Sequence, residues 1–140
     1  MKKLKFALMA LFVSTLFISC NKDDDASPEL TGSWEFVSER VIFLGNDTTS
    51  PYDDHEPGCT KDFVTFTNDK LITNDYFGST CELDVFEQTY TRNGNALTVN
   101  DSGDIYEATI EILNESTLVV KVEEESLIGT YVNYTTFSRK

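Results

Sequence analysis

Four consecutive residues, Asp53-Asp54-His55-Glu56, hold the densest set of reactive side chains in this chain: three carboxylates beside its only histidine. Such a set could hold a divalent cation or supply a general base. Calcium, however, takes about six to eight oxygens from an arranged loop, and zinc takes His or Cys at set spacings. The run meets neither requirement. Nucleophilic catalysis needs a base beside a serine or cysteine and a partner that orients the base, and nothing around His55 identifies one. With 24 acidic residues in the chain, no carboxylate pair of the glycosidase kind stands out. The run reads as a solvated acidic loop, and no metal, cofactor or catalytic residue is expected.

The three cysteines are more informative. Cys20 ends a stretch in which Lys2, Lys3 and Lys5 precede an apolar-to-small run from Phe6 to Ile18. That run is about 13 residues, long enough for the core of an export signal and short of the roughly 20 that span a bilayer as a helix. Leu16-Phe17-Ile18-Ser19-Cys20 is similar to the lipobox of bacterial lipoproteins, with Phe17 where Leu is usual. The resemblance implies cleavage before Cys20, a diacylglycerol on its sulfur and an acyl chain on its new amino group. Each buried methylene adds about 0.8 kcal/mol, so several chains on one residue make a lasting anchor. Behind it, Lys22-Asp23-Asp24 resembles the tag that sends lipoproteins of one Gram-negative group to the outer face of the outer membrane; the periplasmic face is the alternative. Residues 1–19 then form the signal peptide, 20–29 an acidic tether, and 30–140 a single domain. Cys59 and Cys81 remain, in a chain bound for an oxidising compartment, and are expected to pair as a disulfide.

Charge narrows the partners. Losing Lys2, Lys3 and Lys5 with the leader leaves 8 of the 11 basic residues against 24 acidic ones, a balance of −16. Nucleic acid is excluded as a partner, because phosphate backbones are bound by Lys and Arg clusters that this chain lacks. A soluble monomer on a lipid anchor is expected.

From Leu30 onward the chain falls into short period-two segments separated by Asn, Asp, Gly and Ser, with no helical apolar stripe. Trp34, Phe36 and Ser38 open a first strand running to Leu44, and a long polar connection, Gly45 to Thr60, follows. Asp62–Thr67 and Lys70–Tyr76 form a hairpin around Asn68-Asp69, and Asn93-Gly94-Asn95 joins Cys81–Arg92 to Ala96–Asn100. Ile105–Leu113, Thr117–Glu123 and Gly129–Arg139 complete eight strands in up-and-down order. The fold class is all-β. Tight consecutive turns favour an antiparallel meander, and eight strands can close into a barrel without exposed edges. An open β-sandwich is the alternative.

Leu30-Thr31-Gly32-Ser33-Trp34 resembles the Gly-X-Trp signature of lipocalins and, more closely, the Leu-X-Gly-X-Trp opening of lipocalin-like domains in bacterial lipoproteins. Tyr134-Thr135-Thr136-Phe137-Ser138-Arg139-Lys140 is similar to that group's last strand, and the likeness extends over Leu30 to Lys140. It implies a barrel floor in which Gly32 bends the chain tightly, Trp34 plugs one end and Arg139 lies against the indole. Asp47-Thr48-Thr49, in the polar connection, resembles the short motif at which the same bacterial group O-glycosylates exported proteins.

Two functions follow from such a barrel. Its interior, lined by Phe36, Phe66, Phe86, Tyr106, Ile110, Val120 and Phe137, takes a small hydrophobic ligand. Alternatively, side chains fill it, and the acidic outer face or the Gly45–Thr60 connection contacts a surface protein or a glycan.

Overall fold

The computed structural model describes residues 29–140. The 1–19 leader, Cys20 and residues 20–28 of the tether lie outside the described residues. Nine strands follow in order: β1 (Gly32–Phe43), β2 (Asn46–Pro51), β3 (Phe63–Phe66), β4 (Lys70–Phe77), β5 (Glu82–Asn93), β6 (Ala96–Asp101), β7 (Asp104–Leu113), β8 (Thr117–Ser126) and β9 (Gly129–Arg139). From β3 to β9 each strand pairs antiparallel with the next, and β9 pairs back onto β1 from Trp34↔Arg139 to Phe43↔Tyr131. β1 and β3 to β9 therefore form a closed eight-stranded antiparallel barrel, which rules out the open sandwich.

The ninth strand corrects the reading of Gly45–Thr60 as an irregular connection. β1 changes partner along its length: Gly32–Glu35 pair with β3, and Ser38–Phe43 pair with β2. β2 was invisible in the sequence because all six of its residues are exposed, so it carries no alternation of apolar and polar side chains. A two-residue turn makes it. Leu44 at φ 49° and Gly45 at φ 80° are both left-handed, the combination that folds a tight hairpin with the twist of its strands. The Asp47-Thr48-Thr49 motif consequently lies on an exposed strand. Residues 52–62 then fill the place along β1 where β2 stops and β3 begins, through hydrogen bonds from Tyr52 N to Val37 O and from Phe36 N to Asp62 O.

The core occupies one end of the barrel. Alternate residues of the strands send Trp34, Phe66, Tyr90, Leu97, Ile110, Leu118 and Phe137 inward, and Leu30 closes the bottom. Full burial of a large apolar side chain contributes about 1.5–3 kcal/mol, so these residues hold the barrel closed. Cys59 and Cys81 are joined as a disulfide, with Cα atoms 5.4 Å apart and 22 residues of separation. It ties the connection to the β4–β5 turn, a constraint of roughly 3 kcal/mol on the loop-entropy model.

Candidate functional site

The lumen is built from its floor upward. Trp34 is fully buried, and its indole nitrogen donates to Leu30 O at 2.8 Å. The Arg139 guanidinium lies 3.9 Å from the indole centre and donates to Thr31 O at 2.7 Å and Glu29 O at 2.8 Å. Gly32 makes this possible. Its φ is +122°, and a Cβ there would stand 2.6 Å from Arg139 Nη1, so only glycine fits both backbone and neighbour. A cation over an indole contributes about 0.5–2 kcal/mol. These contacts seal the lower end and leave no opening there for a ligand.

Above the floor lies a cavity of about 190 Å³, lined by Phe36, Phe66, Leu71, Leu97, Val120 and Phe137 among others, with Thr73, Gln88 and Thr135 as polar points. Tyr106 also lines it, and its hydroxyl donates to Gln88 Oε1 at 3.3 Å. Two of the expected lining residues lie elsewhere. Ile110 is packed in the core and does not border the cavity. Phe86 is 53 % exposed and borders a separate recess with Thr73, Gln88 and Asp101. Its alternation with Gln88 and Tyr90 places it on the inner face, but it stands too high along β5 to be enclosed.

A second recess, of about 320 Å³, shares Tyr106 and Val122 with the cavity and adds Glu124, Tyr131 and Asn133. The strand pairing explains the opening. The β7–β8 ladder ends at Ala108↔Val122, although β7 begins at Asp104 and β8 runs to Ser126. The two strands fork toward the mouth, and the recess occupies the fork.

The His55 segment corrects another expectation. Its side chain is 17 % exposed and is not part of a solvated loop. Nε2 donates to Phe36 O at 3.1 Å, while Nδ1 lies 3.0 Å from the Asp62 amide and 3.2 Å from Asp62 Oδ2; a neutral ring accepts from the amide, and a protonated ring donates to the carboxylate. Asp62 is 1 % exposed, and its Oδ1 accepts the Tyr76 amide at 2.7 Å. Tyr52 stacks on Phe36, ring centres 4.6 Å apart, and lies 4.7 Å from the His55 ring. Burial, and then the charge of Asp62, push the Tyr52 phenol well above its ordinary value. Burial and the same carboxylate also raise Asp75.

The cluster satisfies backbone groups where β1 changes partner. Asp62 is thus the orienting partner that the sequence did not identify for His55, but with Nε2 committed to the Phe36 carbonyl and Nδ1 to Asp62, neither ring nitrogen is turned toward a substrate. No group of three or more His, Cys, Asp and Glu among the described residues could hold a metal. One sequence signal for this cluster was present: Asp62 is in phase with Val64 and Phe66, which places a carboxylate on the inward face of a strand.

Residues 30–120 match a family model described as a lipocalin-like domain. No curated protein sequence matches the chain. Among solved structures, lobster apocrustacyanin A1 is similar at 14 % identity and a TM-score of 0.48, over 79 % of this chain and 60 % of its own. Bovine odorant-binding protein, as a deswapped triple mutant, is similar at 11 % identity and a TM-score of 0.47, over 79 % of this chain and 73 % of its own. This chain thus spans less than two thirds of apocrustacyanin.

Proposed function

The chain belongs to the lipocalin-like domain family, and on that premise we propose that it is a non-enzymatic carrier of a small apolar molecule. The observation that carries this reading is the 190 Å³ cavity with its aliphatic and aromatic walls above a sealed floor. An apolar cavity of about 150 Å³ suffices for benzene in an engineered protein, and drug-sized ligands occupy roughly 300–1,000 Å³. The ligand is accordingly small: one ring or a short branched chain inside, with any further atoms in the adjoining recess.

The address belongs to the same proposal. Cys20, following its apolar leader, carries the lipid, and Lys22-Asp23-Asp24 directs the monomer to the outward face of an outer membrane. Leu30 packs in the sealed end, so the described residues begin at the floor, opposite the mouth.

A docking module for a surface protein or a glycan is the second reading. It is favoured by apolar side chains at the hairpin tips, where Leu127 is 107 % and Ile128 69 % exposed. Leu44, 64 % exposed, lies beside the same hairpin at Gly129, but exposed apolar residues are ordinary on protein surfaces.

Native mass spectrometry of protein purified from its own host tests the proposal. We expect a chain beginning at Cys20 with the mass of its acyl groups, plus a releasable small molecule. A chain that keeps residues 1–19, or carries no lipid, would remove the anchor. Bare protein that also ignores added neutral apolar molecules would remove the carrier.

A further inference from the structure

The second recess differs in chemistry from the cavity it adjoins. Its walls are two tyrosines, Tyr106 and Tyr131, together with Val122, the Glu124 carboxylate and Asn133. Glu124 and Tyr131 are direct cross-strand partners on β8 and β9, and Asn133 lies opposite Val122. Asn133 Oδ1 is shut off from solvent and, among the described residues, has no hydrogen-bond partner. A buried acceptor left unpaired costs about 1–3 kcal/mol, so a ligand donor that turned the Asn133 carboxamide into the recess would recover that stability.

Charge points the same way. Among the described residues Glu124 makes no ion pair, since Lys121 on the same strand is engaged by Glu111 and Glu123. No lysine or arginine lines the cavity or either adjoining recess. An anionic head would meet Glu124 and Asp101 with nothing to neutralise it. An ammonium would meet the free Glu124 carboxylate in a recess walled by Tyr106, Tyr131 and the Asn133 carboxamide, with no cation to compete for it.

We infer that the ligand is a small amine, its apolar body in the 190 Å³ cavity and its protonated nitrogen in the fork between β7 and β8. This assignment rests on the carrier reading and adds the chemical class of what is carried.

The test is calorimetric titration of the purified protein with three molecules of one shape: 4-phenylbutylamine, 4-phenylbutan-1-ol and 4-phenylbutanoate. The amine should bind at least about tenfold more tightly than the alcohol, and the carboxylate most weakly. Raising the salt should narrow the gap between amine and alcohol and leave the alcohol unchanged. Glu124→Gln and Asn133→Leu should each reduce the amine's advantage severalfold while the alcohol's affinity stays within about twofold. The salt series on the unmodified protein decides the matter even where a variant misfolds. An alcohol that binds as tightly as the amine, or a carboxylate that binds better, would overturn the assignment and leave the carrier reading intact. Failure of all three, and of a neutral apolar dye, would overturn both.

Discussion

At the scale of single residues, the floor and the His55 cluster show two ways in which a side chain earns its place. Gly32, Trp34 and Arg139 interlock through one left-handed glycine and one cation over an indole, and their motif is readable because Gly32 and Trp34 are close in sequence. His55 and Asp62 serve main-chain groups on other segments, Phe36 O and Tyr76 N, which no local pattern reveals. A histidine among three acids looks solvated until its partners are known. The cluster has a measurable cost. Burial and the nearby Asp62 charge raise the Asp75 carboxyl above its ordinary value. Between the ordinary and the raised value the folded state holds a proton that the unfolded chain has lost. Stability is therefore lost as pH rises through that window, and the cost is complete above it. Asp75→Asn, whose amide can still donate to Asp62, should raise the urea midpoint at pH 7. The gain should disappear below the ordinary aspartate value, and an equal gain at all pH values would refute this account of Asp75.

At the scale of elements, legibility followed the alternation of apolar and polar residues along each strand. β7 and β8 announce themselves in this way, although in the barrel burial alternates only around Ala108–Ile110 and Thr117–Val119. β2, exposed throughout, exists because its turn and the free edge of β1 make it. Alternation also says which face a residue takes and not how high it stands in the barrel; hence Phe86 ends in an open recess while Val120 lines the cavity. The fork between β7 and β8 was illegible for the same reason, since both strands continue past the end of their ladder. Its consequence is dynamic. Beyond Ala108↔Val122 the amides that face the fork lack a cross-strand partner. Hydrogen exchange at alternate positions of 104–107 and 123–126 should be close to unprotected, with 108–113 slow. A bound amine should slow those fork positions selectively. Uniform protection along β7 and β8 would mean that the fork is closed in solution.

At the scale of the whole molecule, the antiparallel order was readable from the turn-separated segments, whereas an open sandwich stayed as the alternative to closure until the pairing of β9 with β1 decided it, a meander of that length leaving two edges that can pair with each other. The closed barrel has one sealed and one open end, and its polarity is set by where the chain enters. Leu30 and Trp34 lie at the floor, while Leu127 and Ile128 project at the tip of the β8–β9 hairpin. The net charge of −13 over the full sequence favours solubility, and Glu124 and Asp101 at the two recesses favour cationic over anionic cargo. A fitting ligand would add dispersion contacts along the lumen walls and should stabilise the fold in proportion to its occupancy.

A carrier of this kind receives its small apolar molecule in the lumen and not on the outer surface. A methyl-resolved NMR titration with 4-phenylbutan-1-ol tests it most directly. We predict saturable shifts of the Leu71, Leu97, Val99, Val120 and Val122 methyl groups, which line the cavity, with the exposed Leu127 and Ile128 unmoved. Shifts confined to Leu127 and Ile128, or none up to the solubility of the alcohol, would contradict a ligand-binding lumen and leave the outer surface as the working part of the molecule.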